Sequence, residues 1–131
     1  MYELTVETVF SAAHSLSIQG EQEPIHGHDW HVTACISGRT LDPDGMLVDF
    51  HAVEAALQEL VRPFRNANLN TTPPFDRTNP SAEHVAAYLG QSLGAAVARL
   101  GDAPEGLRPR VSWVRVTEAP GCAVTYRTTE A

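Results

Sequence analysis

His26, Gly27 and His28 set two imidazoles one residue apart, and Ala12-Ala13-His14 supplies a third some way upstream. In an extended backbone side chains alternate from face to face, so His26 and His28 project to one side of the same strand. A third imidazole from a neighbouring strand completes a three-histidine metal cradle, a ligand set that leaves one coordination position open for chemistry. The remaining histidines, His31, His51 and His84, read as ordinary surface or satisfied residues, since histidine is of intermediate burial. Glu23 and Asp29 flank the cluster, either orienting its ligands from behind or simply solvated.

Strands must carry these groups. Tyr2 to Phe10 alternates, with Leu4, Val6, Thr8 and Phe10 on one face, and runs on through small residues to His14. Alternation returns from Asp29 to Ser37, where Trp30, Val32, Ala34 and Ile36 share a face. Counting back by two puts His26 and His28 on the Trp30 side and His31 on the other. The two strands are expected to pair antiparallel. Pro43-Asp44-Gly45 turns the chain, and Asp49 caps a helix from about His51 whose stripe is Val53, Ala56, Leu57, Leu60 and Phe64, ended by Pro63. A second helix is predicted with Asn79 as cap, Pro80 at its first position and Val85, Leu89, Leu93, Ala96 and Leu100 inward, stopped by Gly101. Between them, residues 65–79 form a connection long enough to imply function or packing on a neighbour. After a turn-rich link over residues 102–109, residues 110–118 and 122–128 read as a closing hairpin around Ala119-Pro120-Gly121. The order is strand, strand, helix, helix, strand, strand, an α+β chain.

At 131 residues, 43% of them hydrophobic, the chain is expected to form a single domain, residues 1–131, with a real core. A net charge of −7, from 9 basic against 16 acidic side chains, argues against nucleic acid or an anionic membrane as partner and toward a small molecule or protein. Two cysteines and no export-like start point to a cytoplasmic protein with reduced thiols.

Taken in order, Phe10-Ser11-Ala12-Ala13-His14, His26-Gly27-His28, Gly45 to Phe50, Leu69-Asn70, Asn79 to Glu83 and Val116-Thr117-Glu118 resemble the successive signatures of the 6-pyruvoyl- and 6-carboxy-tetrahydropterin synthase family. The resemblance spans Phe10 to Tyr126. It implies the tunnelling fold, a four-stranded antiparallel sheet with two helices on one face, assembled as a homohexamer of two trimers with pockets at subunit interfaces. It also implies zinc on His14, His26 and His28, and a pterin ring held by Glu118 with Thr117 beside it. A carboxylate suits the ring's adjacent N–H donors as it suits a guanidinium.

The chain departs from the family where protons should move. Gln22 stands at the position of the family's cysteine, four residues before His26, and Arg65 and Asn66 replace an Asp-His pair. Three functions follow: a pterin-binding protein without the standard synthase reaction; a zinc-dependent lyase or aldolase on 7,8-dihydroneopterin or its triphosphate, with Glu23 as base; or a non-catalytic structural assembly.

Overall fold

The structure, a computed structural model, describes residues 1–101 and 103–128. Asp102, the first residue of the expected link, lies outside them, as do residues 129–131. Both early alternating segments extend further toward the histidines than their apolar pattern alone: β1 spans Tyr2–His14 and β4 His26–Gly38. They pair antiparallel along their whole length, with Phe10 opposite Trp30, Ala12 opposite His28 and His14 opposite His26. Between them a small two-stranded ribbon, β2 (Ser17–Ile18) with β3 (Glu21–Gln22), fills what read as a polar loop.

The face predicted to be apolar is the core. Val6, Phe10, Ala12 and His14 of β1 and Trp30, Val32, Ala34 and Ile36 of β4 are all buried. Phe10 and Trp30 lie parallel with centroids 5.9 Å apart, a cross-strand aromatic pair of the kind that contributes about 1 kcal/mol beyond area burial. Two helices cover this face. In α1 (Phe50–Val61) the Asp49 carboxylate accepts from the His51 N–H at 2.9 Å, as expected of a cap, and Val53, Leu57 and Val61 point inward. In α2 (Ala82–Val97) the apolar stripe runs through Val85, Leu89, Leu93 and Val97. Gly90 lets α2 lie against the sheet, because a Cβ there would fall 2.7 Å from the Tyr126 ring.

The sheet is larger than four strands. β6 (Arg110–Ala119) pairs with β4, and β7 (Cys122–Arg127) closes the hairpin, giving four long antiparallel strands. A two-residue strand, β5 (Ala67–Asn68), adds a parallel edge beside Ala12 and Ala13, so the order is β5-β1-β4-β6-β7. Two residues carry no period that alternation could reveal.

The cap of α2 also differs from expectation. Ser81 occupies it, its Oγ accepting from the His84 N–H at 3.1 Å. Asn79 is engaged elsewhere: its amide accepts from Ser17 N–H at 2.9 Å and donates to Ser17 C=O at 3.1 Å. Among the described residues no helix is long and apolar enough to cross a membrane.

The two cysteines are free, Cys122 exposed and Cys35 buried on the helix-free side of the sheet. Burial pushes the Cys35 thiol above its ordinary pKa, and Glu3 adds to the rise. The thiolate is the reactive form, so a thiol reagent at pH 8 is expected to modify Cys122 alone in the native state and both cysteines after denaturation. Equal native rates at the two positions would contradict this packing.

Candidate functional site

The end of the sheet where β1 finishes and β4 begins carries the histidines. Because His14 faces His26 across the register and His28 follows two residues on, the three rings sit edge to face at centroid distances of 4.7, 5.1 and 4.8 Å. Trp30 forms their floor, its ring 4.9 Å from that of His14 and 5.7 Å from that of His28. Its indole N–H donates to the Ala12 carbonyl at 3.1 Å, which locks the ring.

Each of two imidazoles is oriented by a backbone carbonyl. His14 Nδ1 lies 2.8 Å from Pro80 O and His26 Nδ1 lies 3.0 Å from Pro24 O. A carbonyl only accepts, so in both rings Nδ1 carries a hydrogen and Nε2 is the atom left to meet a metal. The Nε2 atoms of His14 and His28 are buried without a hydrogen-bond partner. Burial lowers the His28 pKa below the usual imidazole value, against the opposing pull of Glu118. The ring is therefore the neutral, ligating form at neutral pH.

Glu118 completes the cluster. It stands at a bulge, since β7 pairs with Thr117 and Ala119 and skips the residue between them. It continues the inward face of Val114 and Val116, next to Trp30. Glu118 Oε1 lies 2.9 Å from His14 Nε2 and 3.5 Å from His28 Nε2. One donor atom from each of His14, His26, His28 and Glu118 falls within 4.8 Å of the rest. Two buried imidazole nitrogens without a partner, beside a third imidazole and a carboxylate, fit a cation: the three predicted imidazoles are brought together and suit zinc.

The other predicted residues fall as follows. Glu23 is held by the Leu16 N–H at 3.0 Å, with its carboxylate 3.7 Å from His26 Nε2. Thr117 pairs with His31 on the helix-free face, and with Glu118, His28 and Pro120 it lines a cavity of about 400 Å³. A second, more open groove of about 520 Å³ runs past His28 along Ser11, Ala13 and Asn66. Asp29 turns from the imidazoles and accepts from Ser11 Oγ at 2.5 Å. His51 pairs with Glu54, and His84 Nδ1 lies 2.6 Å from Asn79 O, so neither joins the site.

The residues read from the resemblance as replacing proton-transfer groups, Gln22, Arg65 and Asn66, all bond within the fold. Gln22 donates to Ser15 O at 3.0 Å and Ser15 Oγ at 2.6 Å. Arg65 donates to Val9 O at 3.1 Å and to the side chain of Gln58, tying the edge of β1 to α1. Asn66 adopts φ +55 and donates its N–H to Ser11 O at 2.6 Å.

A family model described as 6-pyruvoyl tetrahydropterin synthase matches residues 3–129. The chain belongs to the 6-pyruvoyl tetrahydropterin synthase family. An Archaeoglobus fulgidus protein assigned as a 6-carboxy-5,6,7,8-tetrahydropterin synthase is 35% identical over 88 residues, 67% of this chain and 72% of that relative. Among solved structures, the Caenorhabditis elegans 6-pyruvoyl tetrahydropterin synthase aligns over 98% of both chains with a TM-score of 0.75 at 23% identity. A Plasmodium vivax 6-pyruvoyltetrahydropterin synthase carrying a catalytic-residue glutamate-to-alanine change aligns over 98% of both chains with a TM-score of 0.76 at 18% identity. These two establish the shared fold.

Asn70, in the long connection, supports the site from behind: its amide accepts from Ser15 N–H at 2.8 Å and donates to Ser15 O at 2.9 Å. Ser15 is buried, so Asn70→Ala strands its N–H and is expected to cost about 1–3 kcal/mol in a urea unfolding titration. A loss below about 0.5 kcal/mol, the scale of a neutral surface change, would show that the contact is dispensable.

Proposed function

We propose that this chain binds a dihydropterin against a zinc ion held by His14, His26 and His28, with Glu118 meeting the ring's N–H donors and Thr117 lining its berth. The observation that carries the reading is the meeting of unpartnered imidazole nitrogens and the Glu118 carboxylate beside a cavity of about 400 Å³, within the range of small-ligand sites. When bound, zinc supplies Lewis acidity toward the ligand it contacts. The chain's own groups orient the heterocycle, since a carboxylate takes two adjacent N–H donors side by side. The working form is proposed to be a cytoplasmic homohexamer, a dimer of trimers with pockets between subunits, and its net charge of −7 disfavours nucleic acid and anionic membranes as partners.

The standard synthase reaction is proposed to be lost. Proton-transfer groups contribute about 10² to 10⁴ each, and Gln22, Arg65 and Asn66 offer neither a thiolate nor an imidazole, while the Gln22 and Arg65 side chains are engaged in the fold. Calorimetric titration of the zinc-supplemented protein with neopterin is expected to show binding that Glu118→Ala removes. Equal binding by that variant would sink the ring-anchor assignment.

One observation favours a second reading, a lyase or aldolase acting on dihydroneopterin or its triphosphate. Glu23 places a carboxylate 3.7 Å from His26 Nε2, and a glutamate is a catalytic residue in the Plasmodium vivax relative. Under that reading zinc-loaded protein converts 7,8-dihydroneopterin triphosphate to a new pterin and Glu23→Ala lowers the rate by at least about 100-fold. No product at high protein concentration eliminates it and leaves the binding function.

A further inference from the structure

Glu118 stands closer to the imidazole nitrogens than a group reserved for a heterocycle needs to. Its Oε1 is 2.9 Å from His14 Nε2, yet that nitrogen makes no hydrogen bond. Nδ1 of that ring is turned to Pro80 O, so Nε2 is the atom that faces the carboxylate oxygen. A nitrogen and a carboxylate oxygen held that close share a positive charge between them, a proton or a metal ion.

The separations suit a metal. Zinc–ligand lengths of about 2.1 Å at tetrahedral angles put neighbouring donor atoms about 3.4 Å apart, and the Glu118 distances of 2.9 and 3.5 Å bracket that value. The set as a whole spreads to no more than 4.8 Å, and His26, whose side chain is 41% exposed, has the most room to adjust. Glu118 is neither trapped nor loose: its side chain is 26% exposed, and its bulge frees it from the β7 ladder.

We propose that Glu118 is itself the fourth metal ligand when the pocket holds no heterocycle, so that the carboxylate assigned to the ring closes the metal site until a ligand draws it away. This inference rests on reading His14, His26 and His28 as a metal site, and it adds a second duty to Glu118. The site is then a closed three-imidazole, one-carboxylate centre at rest, and it opens only as the carboxylate turns to the N–H donors of an arriving ring.

Cobalt(II) reports this, because its visible bands depend on the number and kind of donor atoms. Metal-free protein, Glu118→Gln and His26→Ala are titrated with cobalt(II), with folding checked by circular dichroism, and zinc affinity is measured against a chelator. Wild type is expected to show intense bands of a four-coordinate centre. In Glu118→Gln the bands shift and weaken, and zinc binds at least about tenfold more weakly, as for loss of a metal-orienting group or more. Neopterin added to the wild-type cobalt protein is expected to move its bands toward those of the variant. Weaker zinc binding with unchanged bands would mean that Glu118 acts only as a nearby charge, and equal affinity with equal bands would remove it from the centre; either overturns the inference. If wild type and His26→Ala alike bind no cobalt, the reading of the histidines as a metal site fails first, an outcome distinct from the other two.

Discussion

The pairing of β1 with β4 is the constraint from which the rest of the molecule follows. Thirteen residue pairs set Phe10 against Trp30 in the core and His14 against His26 at its rim. Side chains alternate with a period of two, so a slip of one residue would turn Trp30 to solvent and carry His26 and His28 to the wrong face together. Core and site are thus specified by one register. The apolar contacts that stabilise the sheet also fix where the imidazoles stand, and backbone carbonyls then orient two of the rings.

The face that each of these strands buries was legible because it is periodic, while their residue-to-residue register was not. Phe10, Trp30, Val32 and Ile36 declare a buried face, and counting by two carries the pattern out to His28 and His26. The failures fall where period gives no information. β5 and the β2–β3 ribbon are two residues per strand, too short for alternation to register. Asn79 and Ser81 are both good caps followed by plausible helix, and the choice between them was decided by a tertiary bond from Asn79 to Ser17, which no local rule contains. Likewise the closeness of Glu118 to His14 comes from a bulge and a strand pairing more than 100 positions from the first histidine in sequence.

The long connection over residues 65–79 has little regular structure beyond β5 and a short 3-10 turn, yet it is structural. Asn70 and Asn79 each present an amide that both accepts and donates, and each takes the place of a strand partner for Ser15 and Ser17. A side-chain amide has the same donor–acceptor pair as a peptide group. The chain leaving β1 is therefore satisfied as though another strand lay beside it. Arg65 and Gln22, at positions where family resemblance led one to look for chemistry, belong to this same packing.

The orientation of His14 by Pro80, 66 residues away, bears on when the site comes into being. Two of its imidazoles are carried by the first 26 residues, but the carbonyl that orders one of them and the carboxylate beside it arrive only with the start of α2 and the end of β6. During synthesis the amino-terminal histidines emerge long before either. The four-residue cluster therefore comes into being only once nearly the whole chain has been made and folded.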